Sequence, residues 1–185
     1  MASQEPAPKR ADAERNRARI LEVAHEAFGE PGDEPSMAEI ARRAGVGMAT
    51  LYRNFPNRLD LITELYRSEV DEITQAAGGV EGETPGAVFF AWLERFHAAG
   101  ARKGPLASVL LVDSGGDSPV VNESRSRVIA AGEPLFAAAQ ASGEVRDDLP
   151  LGQVLDAVVA VGRIHDDPAL PGRIVRVVFD GLRTG

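Results

Sequence analysis

The chain has no cysteine, which excludes disulfide frameworks, thiolate nucleophiles and zinc–thiolate sites. Histidine is scarce, with only His25, His97 and His165. Neither a G-x-S-x-G nor an H-E-x-x-H motif occurs, and no pair of isolated carboxylates sits in an apolar setting. The expectation is therefore no enzyme, no catalytic residue, no metal and no cofactor. Some eighteen uninterrupted apolar residues, the minimum for a membrane span, are not found either. Lysine occurs only at Lys9 and Lys103, so nearly all of the 20 cationic side chains are arginine. Cations are in turn outnumbered by 28 acids, for a formal charge of −8. In a chain this acidic, binding of phosphate depends on a local basic patch.

Such a patch lies in Pro35–Asp60, PSMAEIARRAGVGMATLYRNFPNRLD. A helix-turn-helix frame starting at Met37 puts Ala41 where two helices cross closely. It puts Gly45 in the turn, where φ > 0 is needed, and Leu51 in the small core with Ile40, Ala44 and Val46. Ser36 and Glu39 form an S-x-x-E capping box ahead of the first helix. Pro56 ends the second, and Asn57 can cap the next one. A recognition helix over about Gly47–Asn54 pairs Met48 with Tyr52 and Ala49 with Arg53 at i, i+4 spacing, while Leu51 and Phe55 turn inward. Between Ile40 and Leu59 the charges are Arg42, Arg43, Arg53 and Arg58, with no acid. This is the pattern of a unit that enters the major groove of DNA.

IARRAGVGMATLYRNFPNRLDLI, with ARILEVAHEAF upstream, resembles the DNA-binding domain of the TetR family of bacterial transcriptional regulators. The likeness covers roughly residues 14–75, and beyond that it is one of layout. The resemblance implies that hydroxyls of Ser36, Thr50 and Tyr52 reach backbone phosphates. Arg58 takes the place of a phosphate-binding lysine, and Asn54 replaces the histidine of the L-Y-x-H-F signature. Met48 and Ala49 stand where many members carry polar base-reading side chains. Their own side chains offer only apolar contact, so polar readout falls on Arg53, against a guanine or a phosphate, with Tyr52 and Asn54 beside it.

Residues 1–11 read as a disordered arm, neither signal peptide nor membrane segment. The basic run Lys9, Arg10, Arg15, Arg17 and Arg19 is either solvated or laid along DNA. A first helix is expected over about Ala13–Phe28, with Ile20, Leu21, Ala24 and Phe28 on one face and His25 as a partly buried structural histidine beside it. A fourth helix at 58–77 connects the helix-turn-helix domain, 12–58, to a second domain at 78–185.

Ala76–Thr84 punctuates the chain, and Thr84-Pro85 starts a helix to about Ala101. Its stripe Phe89, Trp92, Phe96 and His97 is either plain core or the wall of an effector pocket. Pro105–Val112 reads as a short helix and loop, since it lacks the motifs of a phosphate loop. A helix from Ser118-Pro119 to about Ala141 is expected to kink or break at Pro134. The segments Gln153–Ile164 and Arg173–Arg183 are apolar on more than one face. A dimer interface is therefore expected to include Val154, Val158, Val175 and Phe179. Between them His165, Asp166 and Asp167 form an acidic loop.

The expected fold is all-α: an N-terminal three-helix helix-turn-helix domain plus a C-terminal helical ligand-binding and dimerisation domain. The resemblance implies a cytoplasmic homodimer that binds a near-palindromic double-stranded DNA operator, most simply as a repressor, and is released by a small-molecule effector. The alternative is a helical ligand-binding or scaffolding protein of the same fold without operator binding.

Overall fold

The computed structural model describes residues 7–30, 34–162 and 170–184, and all of its extended elements are helices. They are α1 (Ala7–Gly29), α2 (Met37–Ala44), α3 (Met48–Asn54), α4 (Arg58–Ala76), α5 (Pro85–Asp113), α6 (Pro119–Ala141), α7 (Leu151–Gly162) and α8 (Leu170–Leu182). Among the described residues, the only β pairing is one antiparallel bridge between Val145 and Arg183. The chain divides into two compact units, Met1–Leu65 and Tyr66–Gly185. The basic-arm and loop readings fall partly outside the described residues: 1–6 and the cluster His165, Asp166 and Asp167 are not among them. The expected disordered arm is corrected where it is described, because 7–11 already belong to α1. Pro8 is tolerated there because a helix's first turn has no intrahelical partner for its amide groups.

In the first unit Ile20, Ala24 and Ala27 of α1 pack with Ile40, Ala41 and Ala44 of α2, Leu51 of α3 and Leu61, Ile62 and Leu65 of α4, all buried. The end of α2 shows why Gly45 is glycine. Its φ of 63° and ψ of 33° are left-handed. Its N–H donates to the Arg42 carbonyl at 3.2 Å, and the Val46 N–H donates to the Ala41 carbonyl at 3.0 Å. This is a Schellman end, which satisfies two orphan carbonyls and turns the chain into α3. Ser36 caps α2 as expected, its Oγ accepting from the Glu39 N–H at 3.1 Å. Glu39 does not complete the box, because its carboxylate is taken by Arg43 one turn on.

In the second unit the helix expected to stop near Ala101 continues to Asp113, straight through Pro105. A proline inside a helix costs about 3 kcal/mol. Leu106 and Leu110, just beyond it, are buried. Each contributes about 1.5–3 kcal/mol by burial, enough to offset the break. Pro134 likewise does not interrupt α6, with Val128, Phe136 and Ala139 buried on both sides of it. Thr84 caps α5 through an Oγ1 that accepts from the Ala87 N–H at 3.2 Å. The same hydroxyl donates to Glu144, whose carboxylate also receives the Gly86 N–H at 3.1 Å and the Ser142 hydroxyl at 2.7 Å. These hydrogen bonds, with the charge of Arg183 as a smaller contribution, hold the Glu144 carboxyl below its usual range.

Helices α5 and α6 meet at Trp92 and Gly132. A Cβ placed on Gly132 lies 2.2 Å from the Trp92 ring, so glycine is required by the close approach. Gly132→Ala is expected to destabilise the protein by about 1–3 kcal/mol through overpacking. Urea unfolding followed by the fluorescence of Trp92, the only tryptophan, measures this; an unchanged midpoint would show that the two helices separate freely.

Candidate nucleic-acid interface and ligand cavity

Helix α3 has two distinct faces. Leu51 and Phe55, the latter at its C-cap, are buried in the first unit, at 0% and 1% exposure. Met48, Ala49, Tyr52 and Arg53 are exposed together on the opposite side, as their i, i+4 spacing required. Thr50 lies half-buried between the faces. Asn54, expected beside the readout face, instead turns back on its own helix. Its Nδ2 donates to the Thr50 carbonyl at 2.8 Å, while its backbone carbonyl accepts from Arg17 at 3.2 Å. Ser36 is exposed, and although its oxygen accepts from Glu39, the hydroxyl proton is not required by the cap.

The basic patch is smaller than the sequence window suggested. Arg43 is paired with Glu39 and Glu30, both at 2.6 Å, and its hydrogen bond holds the Glu30 carboxyl below its usual range. Arg58 donates to the Pro35 carbonyl at 2.5 Å, pairs with Glu34 at 2.7 Å and lies over the Phe28 ring at 5.3 Å. Its guanidinium braces the loop before α2 against α1 and α4, which corrects the expectation of a side chain free for phosphate. The neutralising acid Glu39 and its companions Glu30 and Glu34 sit just outside the Ile40–Leu59 window, and folding brings them in. Arg42 and Arg53 are exposed and have no ion pair among the described residues. Arg19 joins them, its guanidinium lying against the Gly45 turn. Its neighbour Arg17 is spent internally, over Phe55 at 4.5 Å and against Glu64 at 3.2 Å. Sequence alone could not separate these two arginines, because both lie in one basic run.

The second unit contains a cavity of about 700 Å³ between α4, α5, α6 and α7. Two of the four candidate pocket residues, Phe96 and His97, line it. Phe89 and Trp92 do not, which is a correction. Both are fully buried in an aromatic cluster, with Phe89 5.1 Å from Phe136 and Trp92 6.1 Å from Phe96. The Trp92 indole N–H is satisfied by the Ile73 carbonyl at 3.2 Å, so its polar handle serves the core. The wall that sequence reasoning missed is the face of α5 carrying Gly100, Gly104, Ala107 and Ser108. Small residues at i, i+4 spacing were the available signal, since a Cβ on Gly100 or Gly104 meets nothing within 4 Å. Burial lowers the pKa of His97, favouring the neutral ring.

The candidate dimer residues are also placed differently. Val154, Val158, Val175 and Phe179 are all buried within the single chain. Phe179 packs on Phe90 at 5.9 Å, and Val158 lines the cavity. The faces these helices leave open are the opposite ones, with Ala157 and Ala160 on α7 and Val177, 69% exposed, on α8. The apolar stripes were wide enough to cover two faces, and the chain's own core took the richer one.

Both units match known proteins. Residues 84–184 match the family model described as transcriptional regulator SbtR-like, C-terminal domain. Residues 20–65 match bacterial regulatory proteins, tetR family. An HTH-type transcriptional regulator of Staphylococcus aureus (strain USA300) is 46% identical over 63 residues, which is 34% of this chain and 34% of that protein. The chain thus spans about a third of the length of the curated relatives it matches. The TetR transcriptional regulator SCO0520 from Streptomyces coelicolor is 34% identical with a TM-score of 0.71, covering 90% of this chain and 98% of that one. A TetR transcription regulatory protein from Mycobacterium vanbaalenii is 36% identical with a TM-score of 0.70, covering 96% of this chain and 100% of that one. Matched along both units, with a helix-turn-helix whose second helix is open on one face, the chain belongs to the TetR family of DNA-binding transcriptional regulators, a family of regulators and not of enzymes.

Proposed function

We propose that the protein is a cytoplasmic homodimeric repressor that binds a near-palindromic operator and is released when a small molecule occupies the cavity of its second unit. The observation that carries the DNA-binding half is α3, with Leu51 buried and Met48, Ala49, Tyr52 and Arg53 in the open. Two such helices, set by a two-fold axis, read successive major grooves. The effector half rests on the cavity, whose size is typical of small-molecule sites. Release requires the ligand to bind the DNA-free arrangement more tightly than the DNA-bound one. Sequencing the genomic fragments that the protein retains is the test. An inverted repeat common to those fragments is expected, and fragments without one would overturn the operator reading.

Within that operator, Arg53 is the side chain suited to a bidentate contact with guanine, flanked by apolar contacts from Met48 and Ala49. Arg53→Ala is expected to cost about 1–3 kcal/mol on the operator and to relax preference at one base pair per half-site, with random DNA bound nearly as before. Equal weakening on operator and random DNA would assign Arg53 to a phosphate instead. Arg58→Ala, by contrast, is expected to lower thermal stability by loosening the loop before α2, and to leave the salt dependence of binding unchanged. A salt slope flattened by about one unit would restore it as a phosphate contact.

The open faces of α7 and α8 are the surfaces proposed for the partner subunit. Val177→Glu is expected to leave the chain folded and to weaken the dimer by at least about tenfold, since it puts an unpaired charge into an apolar contact. Phe179→Glu is expected to unfold it, because that position lies in the chain's own core. Circular dichroism and sedimentation equilibrium separate the two. A Val177→Glu protein that remains as tight a dimer as the unmodified one would place the interface elsewhere.

A further inference from the structure

We infer that the cavity of the second unit takes an uncharged molecule with an apolar body and a hydroxyl or carbonyl group. This rests on the reading of that cavity as the effector site and names the chemical class it accepts.

Among the described residues, only Arg125 and Asp156 bring charge to the lining. They are paired with each other at 2.7 Å across α6 and α7. A carboxylate entering the cavity must compete with Asp156 for the guanidinium and loses its own water in doing so. An ammonium meets the converse problem, with Arg125 beside the only acid of the described lining. An ion taken from water without a free counter-charge carries a large desolvation cost. His97 offers none, since its burial favours the neutral ring.

Tyr66 and Ser124 line the cavity at 5% and 3% exposure, and neither side chain has a hydrogen-bond partner among the described residues. The half-buried ring of His97 is in the same position. Ser108 differs, its hydroxyl donating to the Gly104 carbonyl at 3.0 Å. No buried side-chain nitrogen or oxygen among the described residues lacks a partner, so these polar atoms are open to the cavity, where a ligand group can pair with them in place of water. A ligand hydroxyl or carbonyl does so without bringing charge. The remaining wall is apolar, with Val70, Phe96, Leu111, Val128, Leu155 and Val159 prominent. It accommodates the ligand's body.

Titration of the full chain with 1-decanol, decanoate and decylammonium, each below its aggregation limit and without DNA, tests the assignment. Calorimetry and Trp92 fluorescence both report binding, because Trp92 stacks on the cavity-lining Phe96. Decanol is expected to bind at least about tenfold more tightly than either ion. Ser124→Ala is expected to weaken decanol about 2- to 10-fold, the loss of one hydrogen bond. Gly104→Leu is expected to abolish binding while remaining folded, since a side chain there enters open space and leucine is the better helix former. Decanoate or decylammonium binding as tightly as decanol would overturn the inference. So would decanol failing to bind the folded protein, or binding Gly104→Leu unimpaired. An ion bound as tightly as decanol overturns the chemical class and keeps the cavity as a ligand site, whereas no probe bound at all counts against the effector site itself, so the two failures are distinguishable.

Discussion

The second unit depends on where Trp92 sits. Its ring occupies the space that Gly132 leaves on α6, its N–H satisfies the Ile73 carbonyl near the end of α4, and its face stacks on Phe96. One side chain thereby fixes the spacing of three helices. An aromatic ring of this size contributes much of the core's burial, and its geometry allows little slack. With α4, α5 and α6 held apart at one level by an indole, the glycines and small residues further along α5 leave a space that no side chain fills.

The first unit solves a different problem. A seven-residue helix has no stability of its own. Its sequence must therefore be divided between residues that attach it and residues that act. Leu51 and Phe55 attach it, the latter under the guanidinium of Arg17. The Schellman turn at Gly45 sets the angle at which α3 leaves α2. Met48, Ala49, Tyr52 and Arg53 are then left facing outward with no structural duty.

Much of this was legible in the chain. The glycine at the turn, the capping serine, the Thr84-Pro85 start and the two faces of α3 are local features, governed by dihedral preference and periodicity within a few residues. The proline positions misled for the opposite reason. At Pro105 and Pro134 local preference argues for an end, and burial of Leu106, Leu110 and Phe136 overrides it. Arginine roles were the least legible. Arg43 and Arg58 looked free because their acids, Glu30 and Glu34, lie outside the acid-free stretch of sequence around them.

The sequence by itself determined the helical class, the helix-turn-helix and its register, because these depend on short-range spacing that no distant contact alters. It also narrowed the chemistry, since an absent cysteine cannot be supplied by folding. Only the tertiary structure decided which apolar residues close the core and which line the cavity. Phe89, Trp92, Phe96 and His97 are one stripe in sequence, yet the first two are core and the last two are wall. The same holds for Val175 and Val177, two residues apart and on opposite sides of α8. Helical periodicity says which residues share a face; what that face meets depends on the helices packed against it.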